Sequence, residues 1–149
     1  MKFLHLVLFS HDAYYDEMYN ITREYYRRFP NVKTVYYAMS SVIEGDTVLK
    51  GDILYCKGIE GYVPNILDKT ITTFRYFEND IPNYDYVIRS NVSTIINFSM
   101  LIFEVVKKPS YDWSRNWTSV ITSSCLCGLV TISMIIGKPF TLQFAMEAV

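Results

Sequence analysis

The sequence carries no charge surplus of either sign: 14 basic residues face 15 acidic ones, for a net charge of −1. Without a basic field there is nothing to hold duplex DNA or an anionic membrane, so nucleic acid is excluded as a partner. Cysteine is scarce. The three present, Cys56, Cys125 and Cys127, form no C-x-x-C pair, and the only histidines, His5 and His11, lie far from the last two in sequence. That argues against a zinc site and against a disulfide framework, and leaves the thiols as small core hydrophobes of a reducing compartment, the cytoplasm. Internal repeats and low-complexity linkers are absent, as are a Walker G-x-x-x-x-G-K-[ST] loop and a carboxylate pair at fixed spacing.

Long apolar runs are also missing. Phe3–Phe9 follows Lys2, but it is short, contains His5 and lacks a small-x-small cleavage pattern after it, so a buried first strand is expected rather than a signal peptide. Val120–Ile136 is uncharged over seventeen residues and rich in Ser and Thr. It falls short of the roughly 20 residues a comfortable span needs, and a membrane anchor there remains an open alternative. Four N-x-S/T matches, at Asn20, Asn91, Asn97 and Asn116, arise readily by chance in such a chain and are not read as a sign of secretion.

What is abundant is tyrosine, 13 residues beside 9 Phe and 2 Trp. Such residues suit half-buried strands and helix faces, and also stacking on sugars or bases. The chain is long enough for one domain with its own core. Ser10-His11-Asp12 supplies capping residues before a helix whose face is Tyr14, Met18, Ile21, Tyr25 and Phe29, ended by Pro30. Val32–Ala38 is a second strand, and the resulting βαβ unit favours a parallel sheet. Ile53–Cys56 is expected as the third main strand, and Pro64 opens a helix with Ile66, Leu67, Thr70, Ile71, Phe74 and Phe77 along one side. Tyr84–Arg89 is the fourth strand, followed closely by a helix carrying Ile95, Phe98, Leu101, Ile102 and Val105. The fold class is therefore α/β, a Rossmann-like, mainly parallel sheet with helices on both faces. Residues 1–108 form an α/β domain, and residues 109–149 a divergent segment packed on it or membrane-associated.

Candidate ligand residues gather where strands end. Arg89-Ser90-Asn91, with Ser93, stands at the end of the fourth strand. There an Arg can grip phosphate, and short polar side chains can meet it at a helix amino terminus. The alternative is that Asn91 or Ser93 caps the helix while Arg89 pairs with Asp85. In the Gly58–Gly61 loop, Glu60 is the acidic group, and Lys69 on the next helix is the base that shares its cleft; turn chemistry is the competing explanation. Ser10 and His11 end the first strand, with His11 read either as an acid–base group or as an exposed neighbour of a cap. His5 is expected to be a satisfied core residue.

The segments G-Y-V-P-N-I-L-D-K-T (Gly61–Thr70) and Y-D-Y-V-I-R-S-N (Tyr84–Asn91), followed by Ser93 and Asn97-Phe98, resemble small glycosyltransferase-like proteins of the GT-A (nucleotide-diphospho-sugar transferase) fold, common in large DNA viruses and bacteria. The resemblance covers about Phe3 to Val106. It implies a glycosyltransferase, or its nucleotide-sugar-binding half, that moves a sugar from a nucleoside diphosphate to a carbohydrate or glycoprotein acceptor. For a viral protein the location would be the host cytoplasm. It places Ser10 and His11 near the base, and Arg89, Ser90 and Asn91 where such enzymes carry an Asp-x-Asp metal motif. Neither Arg89 nor Asn91 is a carboxylate, so Mn²⁺ or Mg²⁺ loses its usual ligands and Arg89 would carry the charge instead. Residues 109–149 do not resemble the acceptor half of such enzymes. A degenerate, non-catalytic remnant that binds a nucleotide or a protein partner is the alternative. On this reading Arg89 faces the crevice and contributes little to the core.

Overall fold

The computed structural model describes residues 1–107 and 134–137. It has a six-stranded sheet in the order β3-β4-β2-β1-β5-β6. The strands are β1 (Phe3–Leu8), β2 (Val32–Ser40), β3 (Thr47–Lys50), β4 (Ile53–Lys57), β5 (Tyr86–Asn91) and β6 (Met134–Gly137), and the helices α1 (Ala13–Tyr26), α2 (Asn65–Tyr76) and α3 (Phe98–Lys107). The inner pairs β4·β2, β2·β1 and β1·β5 are parallel, whereas β3 and β6 add antiparallel to β4 and β5. This is the α/β, Rossmann-like class expected from the sequence. Of the apolar segment Val120–Ile136, residues 120–133 lie outside the described residues, and 134–136 belong to β6. Among the described residues no helix is long and apolar enough to cross a membrane.

Strand β1 explains the layering. Its residues are buried almost throughout, as expected of a central parallel strand covered on both faces. Leu4 and Leu6 pack with Val35, Tyr37, Leu54, Val87 and Phe77 on the face covered by α2. Phe3, Val7 and Phe9 point the other way: Phe3 joins Tyr26 of α1 and Phe98 and Leu101 of α3, while Val7 and Phe9 meet Tyr15, Met18 and Tyr19 of α1. Strand alternation thus assigns each residue to one of two helical layers.

The helix faces follow the hydropathy pattern at Met18, Tyr25, Phe29, Phe74 and Phe77, which pack on the core, and depart from it elsewhere. In α1, Tyr14 and Ile21 are exposed, while Thr22 and Tyr26 are buried. The face turns because Thr22 Oγ1 satisfies itself inside, on the Met18 carbonyl at 2.8 Å and Tyr36 Oη at 2.9 Å, so a residue counted as polar goes to the core. In α2, Leu67 is exposed and the buried stripe contains Lys69, Thr70 and Thr73. Asp12 caps α1, its carboxylate accepting from the backbone N–H groups of Tyr14 and Tyr15.

Strand β5 lies two residues further along than its apolar run suggests. Tyr84 and Asp85 stay outside it, with the Asp85 N–H on the Lys2 carbonyl. Pairing with β1 continues through Val7↔Ser90 to Leu8↔Asn91. Consequently α3 starts only at Phe98, and the closely following helix expected after Asn91 is a loop. Tyr26 Oη braces that loop, donating to the Thr94 carbonyl and accepting from the Ile96 N–H, each at 3.0 Å. The side chain that caps α3 is Asn97, whose Oδ1 accepts from Met100 N–H at 3.1 Å, and neither Asn91 nor Ser93 does so.

Candidate functional site at the carboxyl edge of the sheet

The chain runs from β1 through α1 outward to β2, and from β4 through α2 back across the sheet to β5. The direction of winding therefore reverses between β1 and β5, and in open α/β sheets the crevice outside the strand ends at such a point is where ligands bind. Ser10 and Asn91 stand at its two rims. Asn91 shares a face of the sheet with Arg89 and with its register partner Leu8. Its Oδ1 is buried without a hydrogen-bond partner among the described residues. A buried carbonyl left unpaired costs about 1–3 kcal/mol, which marks the position as one retained at the expense of stability.

Lys69 and Glu60 come together as the sequence suggested, but as a structural clamp. Lys69 is 1% exposed. Its three ammonium protons have three partners: the Phe9 carbonyl at 2.9 Å, Ser10 Oγ at 3.2 Å and Glu60 Oε2 at 2.6 Å. Glu60 uses its other oxygen, Oε1, to accept from the Met39 N–H at 2.6 Å. The pair thereby ties the loop after β4 to the ends of β1 and β2. Burial pushes the Lys69 pKa down and Glu60 pushes it back up, the first effect being larger. With every donor committed, Lys69 has no proton left for a phosphate unless the clamp opens. Sequence spacing placed the two residues in one cleft; it gave no sign that they would neutralise each other there.

Arg89 does not face open solvent. Only 9% of it is exposed, and its Nε donates to Tyr37 Oη at 3.1 Å. Thr70 Oγ1 donates to the Ile66 carbonyl at 2.7 Å, so Tyr37 Oη, 3.1 Å from Thr70 Oγ1, gives its own proton to Thr70 and accepts from Arg89. This chain runs from β5 through β2 to α2, so Arg89 is part of the packing between sheet and helix, and the expectation that it adds little to the core is corrected. Tyr37 was missed from sequence because in an apolar strand it reads as one more aromatic residue. Asp85, weighed as a partner of Arg89, instead accepts from the Lys2 backbone N–H at 2.8 Å.

Ser90 turns to the opposite face and is fully buried, its Oγ 2.8 Å from His5 Nε2. It stands outside the crevice. Ser93 is exposed in the loop beyond β5. His11 leaves the strand end towards α1 and β4, with Asp16 and Tyr55 on its two ring nitrogens, each at 3.0 Å. Neither partner was foreseen, although Ile53–Cys56 alternation does place Tyr55 on the α1 face.

The end of β5 does not fit a divalent metal ion. It offers the neutral Asn91 carbonyl and the Arg89 guanidinium, where Mg²⁺ or Mn²⁺ requires a set of oxygen ligands that includes carboxylate. Among the described residues no group of three or more His, Cys, Asp and Glu side chains could hold a metal ion. No family model matches this chain, and no curated protein is significantly similar to it.

Proposed function

We propose that the protein binds a nucleoside diphosphate sugar in the crevice between β1 and β5, as a glycosyltransferase of GT-A type or as its nucleotide-sugar-binding half. The observation that carries this reading is the unpaired Asn91 Oδ1 at the point where the winding of the sheet reverses. An acceptor in that place takes a ribose hydroxyl or a ring N–H of a base, and such a bond removes the penalty of the unpaired carbonyl. Arg89, two residues back on the same face, supplies positive potential under the diphosphate without a metal ion.

The second reading is a non-catalytic module that binds a nucleotide or a protein partner. The saturation of Lys69 by Glu60, Ser10 and Phe9 favours it, because the lysine that could have met a phosphate is already neutralised. Calorimetric titration with UDP, GDP and their sugar conjugates, with and without Mn²⁺, distinguishes the readings. Metal-independent binding of sugar conjugates, together with slow release of free sugar or transfer to an added acceptor, is the expected result for a transferase. Binding with no turnover supports the module, and no binding of any nucleotide overturns both nucleotide readings.

Two variants test the residues. Asn91→Ala is expected to weaken nucleotide binding by about tenfold while leaving the unfolding midpoint in urea equal to or above that of the wild type, because the unsatisfied carbonyl is gone. Arg89→Ala is expected to lower stability by about 1–3 kcal/mol by stranding Tyr37 Oη and opening a cavity beneath α2. Its affinity is therefore to be read only at temperatures where the variant is folded.

A further inference from the structure

Outside the crevice, three side chains form a connected chain. His11 Nδ1 lies 3.0 Å from Asp16 Oδ1, and His11 Nε2 lies 3.0 Å from Tyr55 Oη. The His11 and Tyr55 rings stack at 5.7 Å with an angle of 13° between planes, and Phe9 presents its ring to His11 at 4.7 Å and 75°. The imidazole is thus held on two sides by aromatic rings and at both nitrogens by hydrogen bonds. An ionised carboxylate only accepts, so Asp16 fixes the proton on Nδ1. In the neutral imidazole Nε2 is then a bare lone pair, and Tyr55 Oη is the donor to it. Burial, and after it the Asp16 charge, push the Tyr55 phenol up, which keeps the proton on oxygen at rest, aimed at a base. The side chains of His11 and Asp16 are 47% and 49% exposed, so a small molecule reaches them without opening the fold.

We propose that Tyr55 is the nucleophile of a second site, with His11 as its base and Asp16 as the residue that positions the imidazole, and that the site acts on activated carboxylic esters. Nucleophile, base and orienting carboxylate define such a relay by geometry, whatever their order in the chain. As Tyr55 Oη attacks the carbonyl carbon, its proton passes to His11 Nε2, the new O–C bond forms and the carbonyl electron pair moves to oxygen. Collapse expels the alcohol, which leaves with the proton from Nε2, and an acyl-tyrosine remains. Water then attacks that ester while giving a proton to Nε2. The acid is released and Tyr55 recovers its proton. Lys50 Nζ lies over the face of the Tyr55 ring, 5.9 Å from its centre. Activated esters are the class because acyl-tyrosine is itself an aryl ester: a phenol displaces a phenolate-like leaving group readily and an amide nitrogen poorly. The site does not depend on the nucleotide reading, since Tyr55 lies on β4 against α1, whereas Asn91 shares the face of β5 that α2 covers.

The test is the reaction of the full chain with p-nitrophenyl acetate, followed by release of p-nitrophenolate and by peptide mass spectrometry after acid quench. The expected result is a rapid first turnover that leaves an acetyl group on Tyr55. Tyr55→Phe should abolish that adduct, and His11→Ala and Asp16→Asn should each slow its formation by about 100-fold with unchanged circular dichroism. Nitrogen NMR of the His11 ring should report the Nδ1–H tautomer in the wild type and a shift towards Nε2–H in Asp16→Asn. Acetylation confined to lysines and the amino terminus, or equal labelling of Tyr55 in His11→Ala, overturns the proposal; an unchanged tautomer in Asp16→Asn removes Asp16 from it.

Discussion

Replacing Glu60 by alanine is expected to destabilise the fold by about 3 kcal/mol at neutral pH. The substitution leaves Lys69, which is 1% exposed, with a full charge and only the neutral partners Phe9 carbonyl and Ser10 Oγ. Removing one member of a buried pair strands the other, and that desolvation cost outweighs the value of the contact itself. Lys69→Met is the contrasting variant. It removes the buried charge and leaves Glu60, whose side chain is 31% exposed, with Met39 N–H, Ser10 Oγ and water, so its cost should be less than half as large. Glu60→Ala combined with Lys69→Met should recover most of the loss in a double-mutant cycle. The pH dependence follows in sign. Burial holds the folded pKa of Lys69 below its ordinary value, and loss of Glu60 lowers it further. The unfolded chain therefore binds more protons over a wider window, and the deficit of Glu60→Ala shrinks as pH rises from 7 towards 10. Urea unfolding of the variants at several pH values checks this; equal costs for Glu60→Ala and Lys69→Met would show that packing, not charge, sets the effect.

The same clamp links stability to the shape of the crevice. Glu60 is the tether of a loop that exposes Ile59, Tyr62 and Val63, at 74, 90 and 82%, and the Asn65 side chain closes that loop on the Ile59 carbonyl at 2.8 Å. The Gly58 N–H on the Ser40 carbonyl at 3.2 Å adds a backbone tie from the same loop to the end of β2. If the proposed nucleotide site uses Lys69, binding must exchange Glu60 for phosphate on the ammonium and free the loop at the same time. Nucleotide affinity in Glu60→Ala separates the cases, because a Lys69 relieved of Glu60 should bind phosphate more tightly if the cleft admits it.

Much of the frame was legible because parallel strands covered on both faces must be continuously apolar: Phe3–Leu8 and Ile53–Cys56 announce themselves by composition, and Pro30 and Pro64 by what they forbid. The helix faces were less so. A tyrosine is as compatible with water as with a core, so Tyr14 was placed on the buried face of α1 although it is exposed, while Thr22 hid its burial by bonding to its own helix. The end of β5 was misjudged for a related reason. Ser90 and Asn91 look like the start of a turn, yet a strand persists as long as its neighbour offers hydrogen bonds, and β1 offers them through Leu8. The residues around the candidate site were recognisable as chemical types at strand ends. Their partners, Tyr37 for Arg89 and Tyr55 and Asp16 for His11, depend on which strands are adjacent, and no spacing along the chain encodes that.

The buried His5 should make the protein lose stability in mild acid. It is fully buried in the middle of β1, with Nε2 2.8 Å from Ser90 Oγ and Nδ1 3.4 Å from Thr34 Oγ1, and the rings of Tyr26 and Phe98 stand edge-on to it at 4.7 and 5.2 Å. The hydroxyls hydrogen-bond the ring, but none of these groups carries a negative charge to offset burial of an imidazolium. Burial accordingly holds the His5 pKa at about 3, against 6.5 for the free group. Between those two values the unfolded chain binds a proton that the folded chain refuses. The stability His5 contributes is therefore complete above the unfolded pKa and drains away as pH falls through 6.5 towards 3. One pKa unit corresponds to about 1.4 kcal/mol, so about 2 kcal/mol should be lost between pH 7 and pH 5 from this residue alone. Urea unfolding of the wild type and of His5→Gln at pH 7, 6 and 5 measures it by difference, which subtracts the other titrating groups. Gln keeps a donor and an acceptor for Ser90 and Thr34 but carries no titratable nitrogen, so its curve should fall less steeply by that amount, even though its stability at pH 7 is lower. Parallel curves would mean that His5 takes up its proton inside the fold, and that the centre of the sheet admits a charge which its surroundings give no means of holding.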